Sequence, residues 1–185
     1  MNAWSQSPPK NYWDQVYSGT PIFSLKPTAL VMTAVVGRRP GKALDIGMGQ
    51  GRNAIFLAQN GWDVTGFDPS QEGVRQAKEQ AARLGLPLRA IVAAEEDFDL
   101  LSSHWDLIVM TYVRKLRTGD AERFSAALNP KGLFVYENNN VGGLNESLRE
   151  FLKFRILRFE DVDAESDWHP QRKQRVERLI AQKAE

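Results

Sequence analysis

Apolar and polar positions change rhythm along this chain. From Lys42 onward, short apolar runs alternate with stretches of helical spacing. Ala43-Leu44-Asp45-Ile46 is a compact run that stops at a cluster of glycines, and Arg52 to Asn60 follows as a helix closed by Gly61. Trp62 to Phe67 reads as a strand ending at Asp68. Pro69-Ser70 then opens a helix with Ser70 as N-cap, with Val74, Ala77, Ala81 and Leu84 on one face and Gly85 at its end. Leu88 to Ala93 is a third strand. Trp105 to Met110 is a fourth, with the unbroken apolar run of a strand buried on both faces. Asp120 to Leu128 is a helix, Asn129-Pro130-Lys131-Gly132 a turn, and Leu133 to Tyr136 a fifth strand. Leu148, Phe151 and Leu152 mark a further helix face. Phe154 to Phe159 and Arg175 to Gln182 complete the pattern as two strands.

Strands alternating with helices imply right-handed crossovers and a parallel sheet. The last pair breaks that rule. The stretch between Phe159 and Arg175 is polar and has no helical apolar face, so the last strand is expected to run antiparallel. The charge run Gln171 to Arg178 reads as a solvated strand edge or loop. The first thirty residues have a different character, with Trp4, Tyr12, Trp13, Tyr17 and Phe23 and prolines at 8, 9, 21 and 27. They predict an arm (residues 1–30) with a short helix from Asn11 to Tyr17. A single domain follows (residues 31–185), beginning with a helix from Ala29 to Val36.

Composition narrows the chemistry. The 185 residues contain no cysteine and two histidines, His104 and His169. Thiolate nucleophiles, disulfides, cysteine-ligated metals and histidine cages are thereby excluded. The formal net charge of +1 gives no electrostatic footprint for nucleic acid. The longest apolar run, Thr28 to Val36, is too short to span a bilayer, and the polar, proline-bearing start does not read as a signal peptide. The expectation is a cytoplasmic protein with no membrane and no nucleic-acid partner.

The stretch Leu44-Asp45-Ile46-Gly47-Met48-Gly49-Gln50-Gly51-Arg52 carries the chemistry. A glycine-rich turn after the first strand admits a ligand close to the backbone, at the crevice of a doubly wound sheet. It is not the nicotinamide fingerprint, because Arg52 stands at the third glycine position. It is not a P-loop, because no Gly-Lys-Ser/Thr ending is present. An acid two residues before the first glycine suits a ligand with an amino-acid tail, whose ammonium Asp45 attracts. Asp68, ending the second strand, is placed to accept both hydroxyls of a ribose. Each feature also has a structural reading: glycines for tight packing, Asp68 as a helix cap, Glu95 and Glu96 as a solvated loop.

LDIGMGQGRNAIFLAQNGWDVTGFDPS resembles motif I and the second-strand acid of class I S-adenosylmethionine-dependent methyltransferases. The resemblance runs from about Lys42 through Leu133, and RLIAQK resembles the last antiparallel strand of that fold. The GRNA tetrad and YWDQVY are similar to small methyltransferases of the tellurite-resistance and thiopurine-methyltransferase-like groups. The resemblance implies an α/β, Rossmann-like doubly wound sheet of seven strands in the order 3-2-1-4-5-7-6. It implies S-adenosyl-L-methionine as cofactor and S-adenosyl-L-homocysteine as product. Asp45, Gly47, Met48, Gly49 and Gly51 would line the methionine part, and Asp68 and Pro69 the ribose. An Asp ordinarily follows the third strand to meet adenine. Here Ala93-Ala94-Glu95-Glu96 stands there, making Glu95 and then Glu96 the substitutes. Met110 and Thr111 would flank the methyl group.

Methyl transfer from a sulfonium is an in-line displacement that proximity and orientation can drive. The acceptor side is the carboxyl end of the strands, which nominates Tyr112, Glu137, Trp168 and His169. Tyr17 and Phe23 come from the arm, as part of a lid that excludes water. Tyr112 and His169 are the candidates for a catalytic base. His104 falls at the opposite end and reads as structural. The expected partner is a small-molecule methyl acceptor. The alternatives are a nicotinamide-dependent reductase on the same sheet, and a module that binds the cofactor without catalysis.

Overall fold

The computed structural model describes residues 12–19, 23–139, 142–165 and 173–185. Two helices, α1 (Tyr12–Ser18) and α2 (Ala29–Val35), precede the sheet. The regular alternation then runs β1 (Lys42–Ile46), α3 (Arg52–Gln59), β2 (Asp63–Asp68), α4 (Gln71–Arg83) and β3 (Leu88–Val92). The second half contains β4 (Trp105–Thr111), α5 (Asp120–Ala127), β5 (Leu128–Asn138), α6 (Glu146–Glu150), β6 (Arg155–Glu165) and β7 (Lys173–Gln182). The seven strands lie in the order β3-β2-β1-β4-β5-β7-β6. Pairs from β3 through β5 are parallel, and β7 runs antiparallel to both β5 and β6.

Period-two alternation divides the side chains between two layers. Ala43, Val64, Leu107, Val109, Val135 and Ile180 face the layer of α2, α3 and α4. Leu44, Ile46, Ile108, Met110, Phe134 and Leu179 face the other layer, with Phe124 of α5 and Phe151. There the Phe134 ring stacks on Phe124 and Phe151, at centroid distances of 4.5 and 4.9 Å. Ser70 caps α4 as its position foretells, its hydroxyl accepting the Gly73 N–H at 3.0 Å.

The structure departs from the sequence expectations in three places. The Asn129–Gly132 turn is absorbed into β5 as an irregularity. Lys131 adopts a left-handed φ of 65°, and the β4–β5 register shifts between the Trp105–Leu128 and Leu107–Leu133 pairs. Leu152 is 68% exposed while Phe151 is fully buried, because α6 ends at Glu150 and the chain turns there. From Lys173 to Arg178 the charge run lies in an interior strand, not an edge. β7 sits between β5 and β6, and its charged residues pair across the sheet: Arg175 with Asp161, and Arg178 with Glu137 and Glu160. Cross-strand acids make a basic interior strand tolerable, which no pattern within β7 alone reveals.

Among the described residues, no helix is long and apolar enough to cross a membrane, and no group of His, Asp or Glu is arranged to hold a metal ion.

Candidate active site

The glycine loop forms one wall of a cleft at the carboxyl ends of β1, β2 and β4. Gly49 takes a left-handed φ of 51°, and a Cβ there would collide with the hydroxyl of Tyr17. Gly51, at φ 80°, serves packing: its Cβ would come within 2.9 Å of Ala77, closing the space between α3 and α4. At both positions a side chain would meet the protein itself, Tyr17 at Gly49 and Ala77 at Gly51.

Two buried carboxylates face this cleft in different states. Asp68 is tied at both oxygens, Oδ2 accepting the Gly49 N–H and Oδ1 the Ser70 N–H, each at 2.8 Å. Burial raises its pKa to about 6, against the lowering effect of those two N–H groups. Asp45 is 2% exposed, and its Oδ2 has no hydrogen-bond partner in this structure. Burial pushes its pKa up to about 7, with the Arg52 guanidinium offsetting part of the shift. A buried carboxylate oxygen without a partner is costly. It fits a ligand that brings a donor, and an ammonium group is the best such donor.

Asn53 fixes the frame around them. Its Oδ1 accepts the Thr28 N–H at 2.9 Å and its amide donates to the Thr111 hydroxyl at 3.0 Å. One buried side chain so joins the loop before α2, the first turn of α3 and the end of β4. The GRNA tetrad is the sequence signal for Arg52 and Asn53, although neither stands among the expected site residues.

Gly47, Met48, Gly49, Asp68, Pro69 and Thr111 line the cleft as anticipated. Met110 does not. Its side chain is fully buried in the opposite layer, because it alternates with Thr111 across the sheet. Gly51 stands behind the cleft wall. Glu95 and Glu96 are also outside the cleft lining. Arg114 binds both Glu95 oxygens at 2.6 and 2.5 Å, and Arg123 adds a contact at 2.7 Å. Glu96 is exposed. Arginines elsewhere in the fold have captured the carboxylate expected to meet adenine, and the spacing from β3 gives no sign of them.

Tyr112 lines the cleft; Glu137, expected to contact the substrate, is fully buried outside the cleft lining, and the two meet. The Tyr112 hydroxyl donates to Glu137 Oε1, and the Tyr112 N–H donates to the Glu137 carbonyl at 2.8 Å. Glu137 is fully buried, and Arg178 Nε lies 3.2 Å from its Oε2. The Arg52 guanidinium lies 5.6 Å from the Tyr112 ring centroid. Arg178, outside the cleft lining, stands opposite Glu137 only through the β5–β7 register, which no pattern within either strand reveals. Trp168 and His169 lie outside the described residues. His104 packs edge-on against Trp105 at 4.7 Å, at the amino end of β4.

The arm closes over the loop. Trp13 and Tyr17 stack at 6.0 Å, and Phe23 joins them at 6.4 Å from each. Asp14 Oδ1 accepts from the Ser70 hydroxyl at 2.6 Å and from the Glu72 N–H at 2.9 Å, docking α1 on the N-terminus of α4. Gln76 donates to the Tyr17 carbonyl at 2.9 Å. Burial, with Asp68 beside it, raises the pKa of the Tyr17 phenol.

Residues 43–132 match a family model described as "Methyltransferase domain". The chain is 42% identical over 77 residues to "Hemagglutinin 1" of Eikenella corrodens, covering 38% of this chain and 26% of that protein. It is 33% identical over 102 residues to "Ribosomal RNA small subunit methyltransferase C" of Alcanivorax borkumensis, covering 52% of this chain and 31% of that protein. These matches span well under half of the relatives' own length. The fold is similar to the crystal structure of TehB from Haemophilus influenzae, with a TM-score of 0.67 and 18% identity over 94% of this chain and 66% of that one. The domain match, set in a sheet of this strand order, makes residues 43–132 similar to the class I S-adenosylmethionine-dependent methyltransferases, whose cofactor is S-adenosylmethionine.

Proposed function

We propose that the protein transfers the methyl group of S-adenosylmethionine, in line, to a small-molecule acceptor. The observation that carries the reading is Asp45: a buried carboxylate at the glycine loop with one unpartnered oxygen, beside a second acid held by the same loop. Asp45 receives the ammonium group of the cofactor, and Arg52 supplies positive charge near its carboxylate. The turn at Gly47, Met48 and Gly49 borders the methionine chain. Asp68 and Pro69 border the ribose, and Thr111 stands at the methyl end. When bound, the cofactor supplies an activated methyl group on a neutral leaving sulfur. The protein's share is to orient the partners and exclude water.

The arm acts as the lid. Tyr17 over Gly49, with Trp13 and Phe23 around it, covers the cofactor end, while Tyr112 and Glu137 shape the acceptor end. A net charge of +1 supports a small molecule over a nucleic acid, although one relative's name specifies ribosomal RNA. A chain without cysteine accords with a cytoplasmic setting.

Calorimetric titration with S-adenosylhomocysteine and with NADPH tests the reading. Tight binding of the first and none of the second is expected, and the reverse would turn the assignment to a reductase. Formation of S-adenosylhomocysteine with a panel of thiol, amine and hydroxyl acceptors separates an enzyme from a module that only binds.

A further inference from the structure

We propose that the protein does not read the exocyclic amino group of the cofactor's purine, so that a 6-oxo nucleoside of the same build binds as well as the adenine one. The proposal rests on the methyltransferase reading above and adds the selectivity of its base end.

Topology sets where the base lies. With the amino-acid tail at Asp45 of β1 and the ribose at Asp68 of β2, the base leaves the ribose on the side away from the tail. The neighbour of β2 on that side is β3. Val92, the last residue of β3, pairs with Asp68 in register, so the two side chains share a face of the sheet. Val92 is 49% exposed. An apolar side chain one strand away from the ribose acid supports the flat face of a purine, whichever group stands at C6, because such contact is non-directional. Among the described residues, none from 92–104 lines the cleft, which ends on this side at Asp68 and Pro69. The edge of the base therefore stands in water beyond it.

The turn after β3 decides how that edge is read. A carboxylate free to meet it would accept from an amino group and repel an oxo group. Glu95 is the least exposed acid of this turn, and it is engaged elsewhere. Arg114 holds both its oxygens, at 2.5 and 2.6 Å, and Arg123 donates to Oε1 at 2.7 Å. The Glu95 carbonyl accepts from Arg123 as well, at 3.1 Å. Arg114 also holds both oxygens of Asp120, at 2.6 and 2.9 Å. Two acids and two guanidiniums make a largely buried cluster without net charge. A neutral amine is a weaker donor than a guanidinium and does not draw Glu95 out of it. Glu96 and Asp97 are exposed, and a bond from the amine to either replaces one to water with little net gain.

What remains beside the base is backbone. Adenine presents a donor at C6 and an acceptor at N1, and hypoxanthine presents the reverse. Backbone carries both kinds of group. The N–H groups of Ala94, Glu95 and Glu96 donate to no described residue, so an oxo group finds donors where an amino group would find carbonyls or water. Nothing in this arrangement favours one purine over the other.

The test uses the whole chain and calorimetric titration with S-adenosyl-L-homocysteine and S-inosyl-L-homocysteine, which differ only at C6 and the adjoining N1. The two affinities are expected to agree within about fivefold. A preference for S-adenosylhomocysteine above about fivefold overturns the proposal, since a site built to bond an amine rejects the analogue that lacks it by far more. Glu95→Gln removes a charge from the cluster and should lower the melting temperature, while the ratio of the two affinities stays within about twofold of the parent's. A larger shift of that ratio toward the 6-oxo ligand means that Glu95 bonds the amine, and overturns the proposal. If the variant does not fold, the comparison in the parent protein decides alone. Rejection of the 6-oxo ligand with S-adenosylhomocysteine bound removes this proposal and leaves the cofactor reading standing. Binding of neither ligand removes the cofactor reading, and this proposal with it.

Discussion

The two ends of the cleft both bury a carboxylate on the same layer of the sheet, and treat it in opposite ways. At the β1 end, Asp45 keeps an oxygen without a partner. At the β5 end, Glu137 is held by a tyrosine hydroxyl and an arginine. The first arrangement leaves desolvation only partly compensated, and the pKa rises to about 7. In the second, the cation lies in the fold itself. The contrast teaches that one carboxylate awaits a charge from outside and the other has its counter-ion built in. The first can still accept a donor, and the second is satisfied within the fold.

Removing the built-in cation should have the largest effect. Arg178→Met leaves Glu137 buried beside Glu160 with no guanidinium between them, and is expected to lower unfolding free energy by about 3 kcal/mol. Denaturant unfolding measures it. A change within experimental error would mean that Glu137 is neutral or reaches water, and the contrast would vanish.

Asp45→Asn should do the opposite to the empty protein. Removing an unpaired buried carboxyl leaves apo stability equal or higher, while S-adenosylhomocysteine affinity falls by about 10- to 100-fold, a charge-assisted bond lost. Thermal unfolding with and without ligand separates the two effects. Asp68→Ala should cost roughly 1–3 kcal/mol of ligand affinity, as the ribose hydroxyls and the Gly49 and Ser70 N–H groups lose their acceptor.

The pH dependence sharpens the comparison. Asp45 in the folded protein holds its proton up to about pH 7, and an unfolded aspartate does so only to about 3.9. The folded state thus binds the extra proton. Its stabilising effect is fully present below the unfolded pKa and disappears as pH rises through 7. Asp68, raised to about 6, acts in the same direction. The ligand's ammonium group needs the ionised form, so S-adenosylhomocysteine affinity should increase from pH 5 to 7.5. Binding at pH 6 should release protons, readable by calorimetry in buffers of different ionisation enthalpy. Asp45→Asn should reduce that release, and proton uptake on binding would contradict the assignment.

The smallest effect belongs to the arm. Asp14→Ala removes the acceptor for the Ser70 hydroxyl and the Glu72 N–H, and should cost about 1 kcal/mol. Faster proteolysis near α1, slowed again by ligand, is the expected sign of a lid. A cleavage rate that ignores ligand would make α1 simply a cover.

The first half of the sheet was legible because its determinants are local. Apolar runs, a capping serine, a glycine turn and an acid at each strand end are read without knowing what lies opposite. Asp45, Asp68 and Gly49 could be placed at one cleft from spacing alone. Thr111 and Met110 could not be told apart by position along the strand, since alternation decides which enters the cleft. Glu95 was misjudged because its partners, Arg114 and Arg123, are 19 and 28 residues away.

By itself, then, the sequence determined the strand and helix pattern, the antiparallel last strand and the acids and glycines at the ends of β1 and β2. Each is read from a short stretch of chain without knowing what packs against it. Tertiary structure decided what the charged residues do. The register of β5 against β7 sets Arg178 on Glu137, the end of β4 sets Tyr112 on the same carboxylate, and α4 receives Asp14. The physical reason is that the energy of a buried charge depends on its neighbours in space, and those neighbours are assigned only when the sheet assembles.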